Sequence, residues 1–228
     1  PDEFTIELTR AVRKVKAEPF VEIRRTRLVR EMLRGATESQ AKTARKIELA
    51  RMKQMHAYIA IRGADNMNEN SDVPGEKLSL YSRILRPVQN YRVNETKWCV
   101  LRWPTPSMAQ AAGMSTEAFE DLYFKVCTMN YAKMAKAMKP LQKRMAKANK
   151  VHIKAPGTDL RFSIKGLGAI SCSGDRNVPD GEVFSCPVKK SVNGTIAYNT
   201  PSVYSGSKFE NVALEFKDGK IINATSSD

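Results

Sequence analysis

The sequence predicts an α/β protein in two parts: an amino-terminal α/β unit with a mainly parallel sheet, then a mixed or antiparallel α+β unit that reads as incomplete. Three observations carry this. Helical periodicity alternates with short apolar runs in the first hundred residues, as where Ser39 to Met55 is followed by His56-Ala57-Tyr58-Ile59-Ala60-Ile61. After Lys150 the apolar runs shorten and are separated by Gly, Pro and Asn. The chain then closes on two alternating segments around Lys217-Asp218-Gly219-Lys220, an Asp-Gly hairpin signal.

The elements follow in order. Asp2 to Ala17 spaces Phe4, Ile6, Leu8, Val12 and Val15 among charges, an amphipathic helix stopped by Pro19. Phe20-Val21-Glu22-Ile23 reads as a strand, Leu28 to Leu33 as a helix, and Ser39 to Met55 as a basic helix. His56 to Ile61 is a buried-looking strand ended by Gly63. Ala64 to Gly75 is a polar loop whose acids lack calcium spacing, because Met67 stands where the third-position ligand would be. A helix then runs from Glu76 toward Arg86-Pro87. The boundary between the parts is expected between Pro87 and Glu95, giving domains 1–92 and 93–228.

Beyond it, Thr96 to Arg102 is a strand closed by Trp103-Pro104-Thr105-Pro106. Ser115-Thr116-Glu117 caps a helix through Phe119, Leu122 and Val126. From Tyr131 the apolar residues fall at Met134, Met138, Leu141 and Met145, the face of a helix broken or kinked at Lys139-Pro140. Its methionines read as core filling. Val151 to Ile153, Leu160 to Ile164, Val183-Phe184 and Thr195 to Tyr198 are short strands.

Composition bounds the function. The chain has 228 residues, 38 Lys+Arg against 24 Asp+Glu, and a net charge of +14. An apolar fraction of 42% is too high for a disordered basic tail. Four scattered cysteines without a Cys-x-x-Cys fit neither a disulfide scaffold nor a zinc ribbon, and read as small buried residues in a reduced compartment. No apolar run approaches the roughly 18 residues of a membrane-spanning helix, so no membrane association is expected. With no secretory signal at Pro1-Asp2-Glu3, the expected location is cytoplasmic.

The charge is local. Between Lys125 and Lys154 stand nine Lys/Arg and no acid. Lys133, Lys136, Lys143, Arg144, Lys147 and Lys150 lie away from the methionine stripe. Such residues form either a solvated helix exterior or a face that binds nucleic-acid phosphates.

Most catalytic patterns fail. There is no glycine-rich phosphate loop, and the only histidines, His56 and His152, sit in apparent strands where packing or hydrogen bonding accounts for them. The densest unusual segment is Asn177 to Pro187, which contains Pro179-Asp180-Gly181-Glu182. A carboxylate directly after a Pro-Asp-Gly turn has a fixed backbone, which suits a metal ligand. It suits an exposed edge-strand glutamate equally.

Longer motifs separate these readings. Arg102-Trp103-Pro104-Thr105-Pro106-Ser107-Met108-Ala109-Gln110, Met114 to Asp121, Pro156-Gly157-Thr158-Asp159-Leu160, Pro179 to Phe184, Ser191-Val192-Asn193-Gly194 and Tyr198 to Ser202 occur in one order. With Arg62 to Asn66 and Ser71 to Pro74 upstream, the sequence resembles the aminopeptidase T/aminopeptidase S family of thermophilic-type metallo-aminopeptidases. The resemblance implies a two-domain α/β enzyme, commonly dimeric, that removes amino-terminal residues from peptides using two divalent metal ions such as zinc, cobalt or manganese. It makes Glu182 a metal ligand, while neither histidine matches one and the other ligands of the family lie beyond the end of the chain. The expectation is therefore part of an enzyme, inactive alone. The resemblance departs where this chain is basic or neutral, around Lys125, Asn130, Lys143 and Lys189-Lys190. That leaves a nucleic-acid- or ribosome-binding homologue as the alternative.

Overall fold

Apolar residues at helical spacing build the first layer of a computed structural model that describes residues 2–204 and 207–227. Pro1, Ser205, Gly206 and Asp228 lie outside the described residues. Helices α1 (Asp2–Lys14), α2 (Thr26–Arg34) and α3 (Glu38–Met52) come first. The Thr37 side chain accepts a hydrogen bond from the Gln40 amide and so starts α3.

Phe20 to Ile23 forms no strand, contrary to expectation. Among the described residues no strand pairs with it, and Phe20, Val21 and Ile23 are exposed. Ions hold the segment instead: Glu22 pairs with Arg24 and Arg51, both of which also pair with Glu48, and the Arg51 guanidinium stands over the Phe20 ring.

β1 (Ala57–Arg62) and β2 (Lys97–Arg102) pair in parallel, Ala57 opposite Lys97 through Arg62 opposite Arg102. The crossover between them is α4 (Gly75–Glu95), against which α2 and α3 pack. Leu33, Ala36, Ala41, Met52 and Val73 are buried. Arg30 of α2 makes a two-pronged pair with Asp72, holding the loop that enters α4.

α4 runs through Pro87, where the sequence suggested an end. A proline inside a helix removes one hydrogen bond and costs about 3 kcal/mol. Packing of α4 on α2, α3 and β2 offsets that cost, and the Thr96 hydroxyl closes the helix on the Arg92 carbonyl at 2.6 Å. The expected division between residues 92 and 93 therefore falls inside one continuous helix, and the parallel sheet takes strands from both sides of it.

Next come α5 (Pro106–Ala111), α6 (Thr116–Cys127) and α7 (Tyr131–Lys147). Ser115 caps α6 through the Ala118 amide, as its position suggested. Asn130 caps α7 through the Lys133 amide. α7 is a single helix with Pro140 inside it, not a broken one. Trp103 joins this half to the first, its ring centroid 5.3 Å from Phe4 of α1 and 5.4 Å from Phe124 of α6.

The remaining strands are β3 (Lys150–Ala155), β4 (Thr158–Ser163), β5 (Ile170–Cys172), β6 (Asn177–Val178), β7 (Glu182–Phe184), β8 (Asn193–Ala197), β9 (Ser202–Tyr204), β10 (Ser207–Lys217) and β11 (Lys220–Ser227). An antiparallel sheet runs β11-β10-β8-β4-β3, with β9 also on β10. Its end turn is the expected Asp-Gly hairpin, with Asp218 and Gly219 both at positive φ. β5 and β7 form a separate antiparallel pair, and β6 joins β2 to extend the parallel sheet. The result is a mixed α/β fold with one parallel sheet and antiparallel sheets, as the sequence predicted. Among the described residues, no helix is long and apolar enough to cross a membrane.

Candidate metal centre

Glu182 is the first residue of β7, directly opposite Cys172 of β5. Its carboxylate is solvent-exposed. The nine-residue excursion between these partners leaves β5, contributes β6 to the parallel sheet and returns through Pro179-Asp180-Gly181. Glu182 thus stands where the small antiparallel pair meets the edge of the parallel sheet.

Two interactions hold the return turn. One carboxylate oxygen of Asp180 accepts from the Gly181 amide at 3.0 Å, and the other accepts from the Gly174 amide at 2.9 Å. Asp180 is therefore committed to the backbone and closes the loop at its neck. The outgoing arm is fixed to the parallel sheet by the Val100 amide on the Arg176 carbonyl, 2.8 Å, and by the Arg176 guanidinium 5.3 Å from the Trp98 ring.

The floor beneath this loop is α7. Gly174 has φ +85°, and a Cβ there would lie 2.7 Å from Tyr131 ring carbons. A Cβ at Gly181 would meet the Met134 sulfur at 3.3 Å. Further along, the Ser171 hydroxyl reaches the Met138 sulfur at 3.7 Å, and Gln142 Nε2 donates to the Ala169 carbonyl at 3.1 Å. Tyr131, Met134, Met138 and Gln142 occupy one helical face. Gln142 takes the inward place expected of Leu141, which is 51% exposed. Met134, Met138 and Met145 are half-buried, not part of the buried core.

The local field is acidic. Burial pushes the Cys172 thiol up, and the carboxylates of Asp180, Glu182 and Asp175 push it further, so the thiol stays protonated. Burial likewise raises Tyr131.

The donor set falls short of the two divalent ions that the resemblance implies. A tight centre needs three or more His, Cys, Asp or Glu donors converging on a point. Among the described residues no such group exists. Asp180 accepts from two backbone amides. His152 lies 2.8 Å from Asp159 and beside Arg161 on the β3–β4 hairpin, the hydrogen-bonded strand role expected of it. His56 lies just before β1 and is exposed, so it is not the packed strand residue expected. The residues present do not make a metal centre by themselves. Glu182 is a single preorganised carboxylate.

The basic residues Lys133, Lys136, Lys143, Arg144 and Lys147 are exposed on the side of α7 away from this loop, and Lys150 opens β3. The sequence missed Asp180, Gly174 and Tyr131 as the parts that set Glu182. A glycine six residues before the aspartate matches no turn pattern, and the only available signal was the inward face of α7.

The thermophilic metalloprotease (M29) family model matches residues 2–228. Aminopeptidase PepS of Streptococcus thermophilus is 25% identical over 205 residues, covering 77% of this chain and 49% of that protein. Aminopeptidase 2 of Geobacillus stearothermophilus is 26% identical over 200 residues, covering 75% and 48%. The chain spans about half the length of these curated relatives. Wild-type AmpT from Thermus thermophilus superimposes with a TM-score of 0.76 at 21% identity, covering 99% of this chain and 64% of that one, which establishes a shared fold. With its whole described length matched and its fold shared, the chain belongs to the thermophilic metalloprotease (M29) family.

Proposed function

We propose that the protein carrying this chain is a metal-dependent aminopeptidase that releases amino-terminal residues from peptides, and that Glu182 is one ligand to its divalent ions. The observation that carries this is the family match over residues 2–228, with relatives named as aminopeptidases aligned over three quarters of the chain. The family's description implies a metal. It would use two ions, of zinc, cobalt or manganese, and work as a cytoplasmic homodimer.

Glu182 supports the assignment because its backbone is held on both sides, by the β5 ladder and by Asp180. A lone carboxylate cannot hold a catalytic ion pair tightly. The 228 residues by themselves are accordingly expected to show no turnover. The test is hydrolysis of short peptides by the full-length gene product with zinc, cobalt or manganese added separately. Release of the amino-terminal residue with at least one metal supports the reading; none with any metal contradicts it.

A further inference from the structure

The face of α7 opposite the Glu182 loop carries a different chemistry. Lys133, Lys136, Lys139, Lys143, Arg144 and Lys147 are all exposed, and none is in an ion pair among the described residues. A soluble protein does not ordinarily gather six cations without an acid, because their mutual repulsion opposes folding.

The fold adds cations from elsewhere in the chain at the carboxyl-terminal end of this helix. Ser163 is the organiser. It pairs with Lys150 across the β3–β4 ladder, its hydroxyl accepts from the Lys165 amide at 3.1 Å, and its carbonyl accepts from the Val188 amide at 2.8 Å. That last bond brings in the 3-10 turn Lys189–Ser191. The β10–β11 turn packs onto the same place, with Gly219 against the Lys189 carbonyl and its amide donating to Val192 at 2.9 Å. Lys217 and Lys220 therefore stand beside Lys189 and Lys190, with Asp218 as the acid of that turn. Lys150, Lys165, Lys189, Lys190, Lys217 and Lys220 extend the α7 array, and none of the six is ion-paired among the described residues.

We infer that this surface binds the phosphate backbone of a nucleic-acid strand. From Lys133 to Lys147 the helix rises about 21 Å, or one cation per about 4 Å, a charge density comparable with the roughly 3.4 Å of duplex axis per charge on each strand. The side chains are almost all lysine, point charges suited to phosphates. Aromatic anchors of the kind that dominate protein interfaces are missing, since Tyr131 faces inward under Gly174. Without stacking groups, recognition is blind to sequence. This inference is independent of the aminopeptidase reading, because the two surfaces lie on opposite faces of α7.

The test is a fluorescence-anisotropy titration of the full-length protein against labelled 20-nucleotide RNAs, one of uridine and one of mixed sequence. Both are expected to bind alike, and with about five phosphates engaged the affinity falls about 100-fold between 50 and 200 mM salt. Reversing Lys143, Lys147 and Lys189 to Glu lowers the slope of log Kd against log salt by about 2. Reversing the exposed Arg45 and Lys46 of α3 leaves it unchanged. Circular dichroism checks that each variant is folded, and the Gln versions serve if a Glu version is not. Absence of binding at 50 mM salt overturns the inference. So does equal loss from the α3 pair, which would mark a net-charge effect. Displacement by polyglutamate as readily as by RNA of equal charge also overturns it, in favour of an acidic protein surface.

Discussion

The Gly174 amide donates to Asp180 at 2.9 Å, and this bond closes the neck of the loop that delivers Glu182 to the start of β7. The second oxygen of the same carboxylate holds the Gly181 amide, so one side chain fixes both arms of the turn. The candidate ligand owes its place to the carboxylate two residues before it.

Asp180→Ala removes both acceptors and leaves the Gly174 amide, in a half-buried loop, without a protein partner. An unsatisfied donor of this kind costs about 1–3 kcal/mol. Asp180→Asn keeps one carbonyl oxygen and loses less. Urea unfolding of the two variants should rank them in that order; equal losses would mean that the backbone hydrogen bonds are not what the carboxylate contributes.

Gly174→Ala should be worse than its size suggests. The new methyl meets the Tyr131 ring at 2.7 Å and the residue must hold φ +85°, together about 2–4 kcal/mol. In a Tyr131→Ala background the clash disappears and only the backbone strain of about 1–2 kcal/mol remains. Thermal unfolding of the double-mutant cycle checks this non-additivity. Additive effects would place the tyrosine elsewhere.

Much of this architecture could be read beforehand, but unevenly. α1, α2, α3, α6 and both strands of the parallel pair β1–β2 follow from apolar spacing, and the final hairpin follows from Asp218-Gly219. Phe20 to Ile23 misled because a β-branched run becomes a strand only with a neighbour to pair with, and here ions to α3 replace the ladder. Pro87 read as an end and Pro140 as a break or kink, yet each proline lies inside one continuous helix. β6 is two residues long and has no period to detect. At the site, Glu182 was visible from its turn and its motif, whereas the Asp180 clamp and the α7 floor depend on contacts between distant segments. The lysines around Ser163 are dispersed in sequence for the same reason.

Acid should weaken the Arg30–Asp72 tie specifically. The hydrogen bond from Arg30 holds the Asp72 carboxyl below the usual carboxylate range. A carboxylate whose folded value is depressed contributes stability above its unfolded value, about 3.9, and that contribution is lost as pH falls through the lower folded value. Asp72→Asn should therefore be less stable than wild type at pH 6 and approach it as pH drops well below 4. Urea midpoints between pH 2.5 and 6 measure the gap; a gap of constant size would show that Asp72 acts through something other than its charge.

The most direct measurement compares wild-type full-length protein with Glu182→Gln, reading bound metal by elemental analysis and hydrolysis of an amino-terminal aminoacyl substrate. Glutamine keeps the size and the strand position but loses the charge that a divalent ion needs. The account predicts a clear loss of bound metal and a fall in kcat/KM of at least about 100-fold, with the fold unchanged. Full metal content and undiminished hydrolysis in the variant would contradict it.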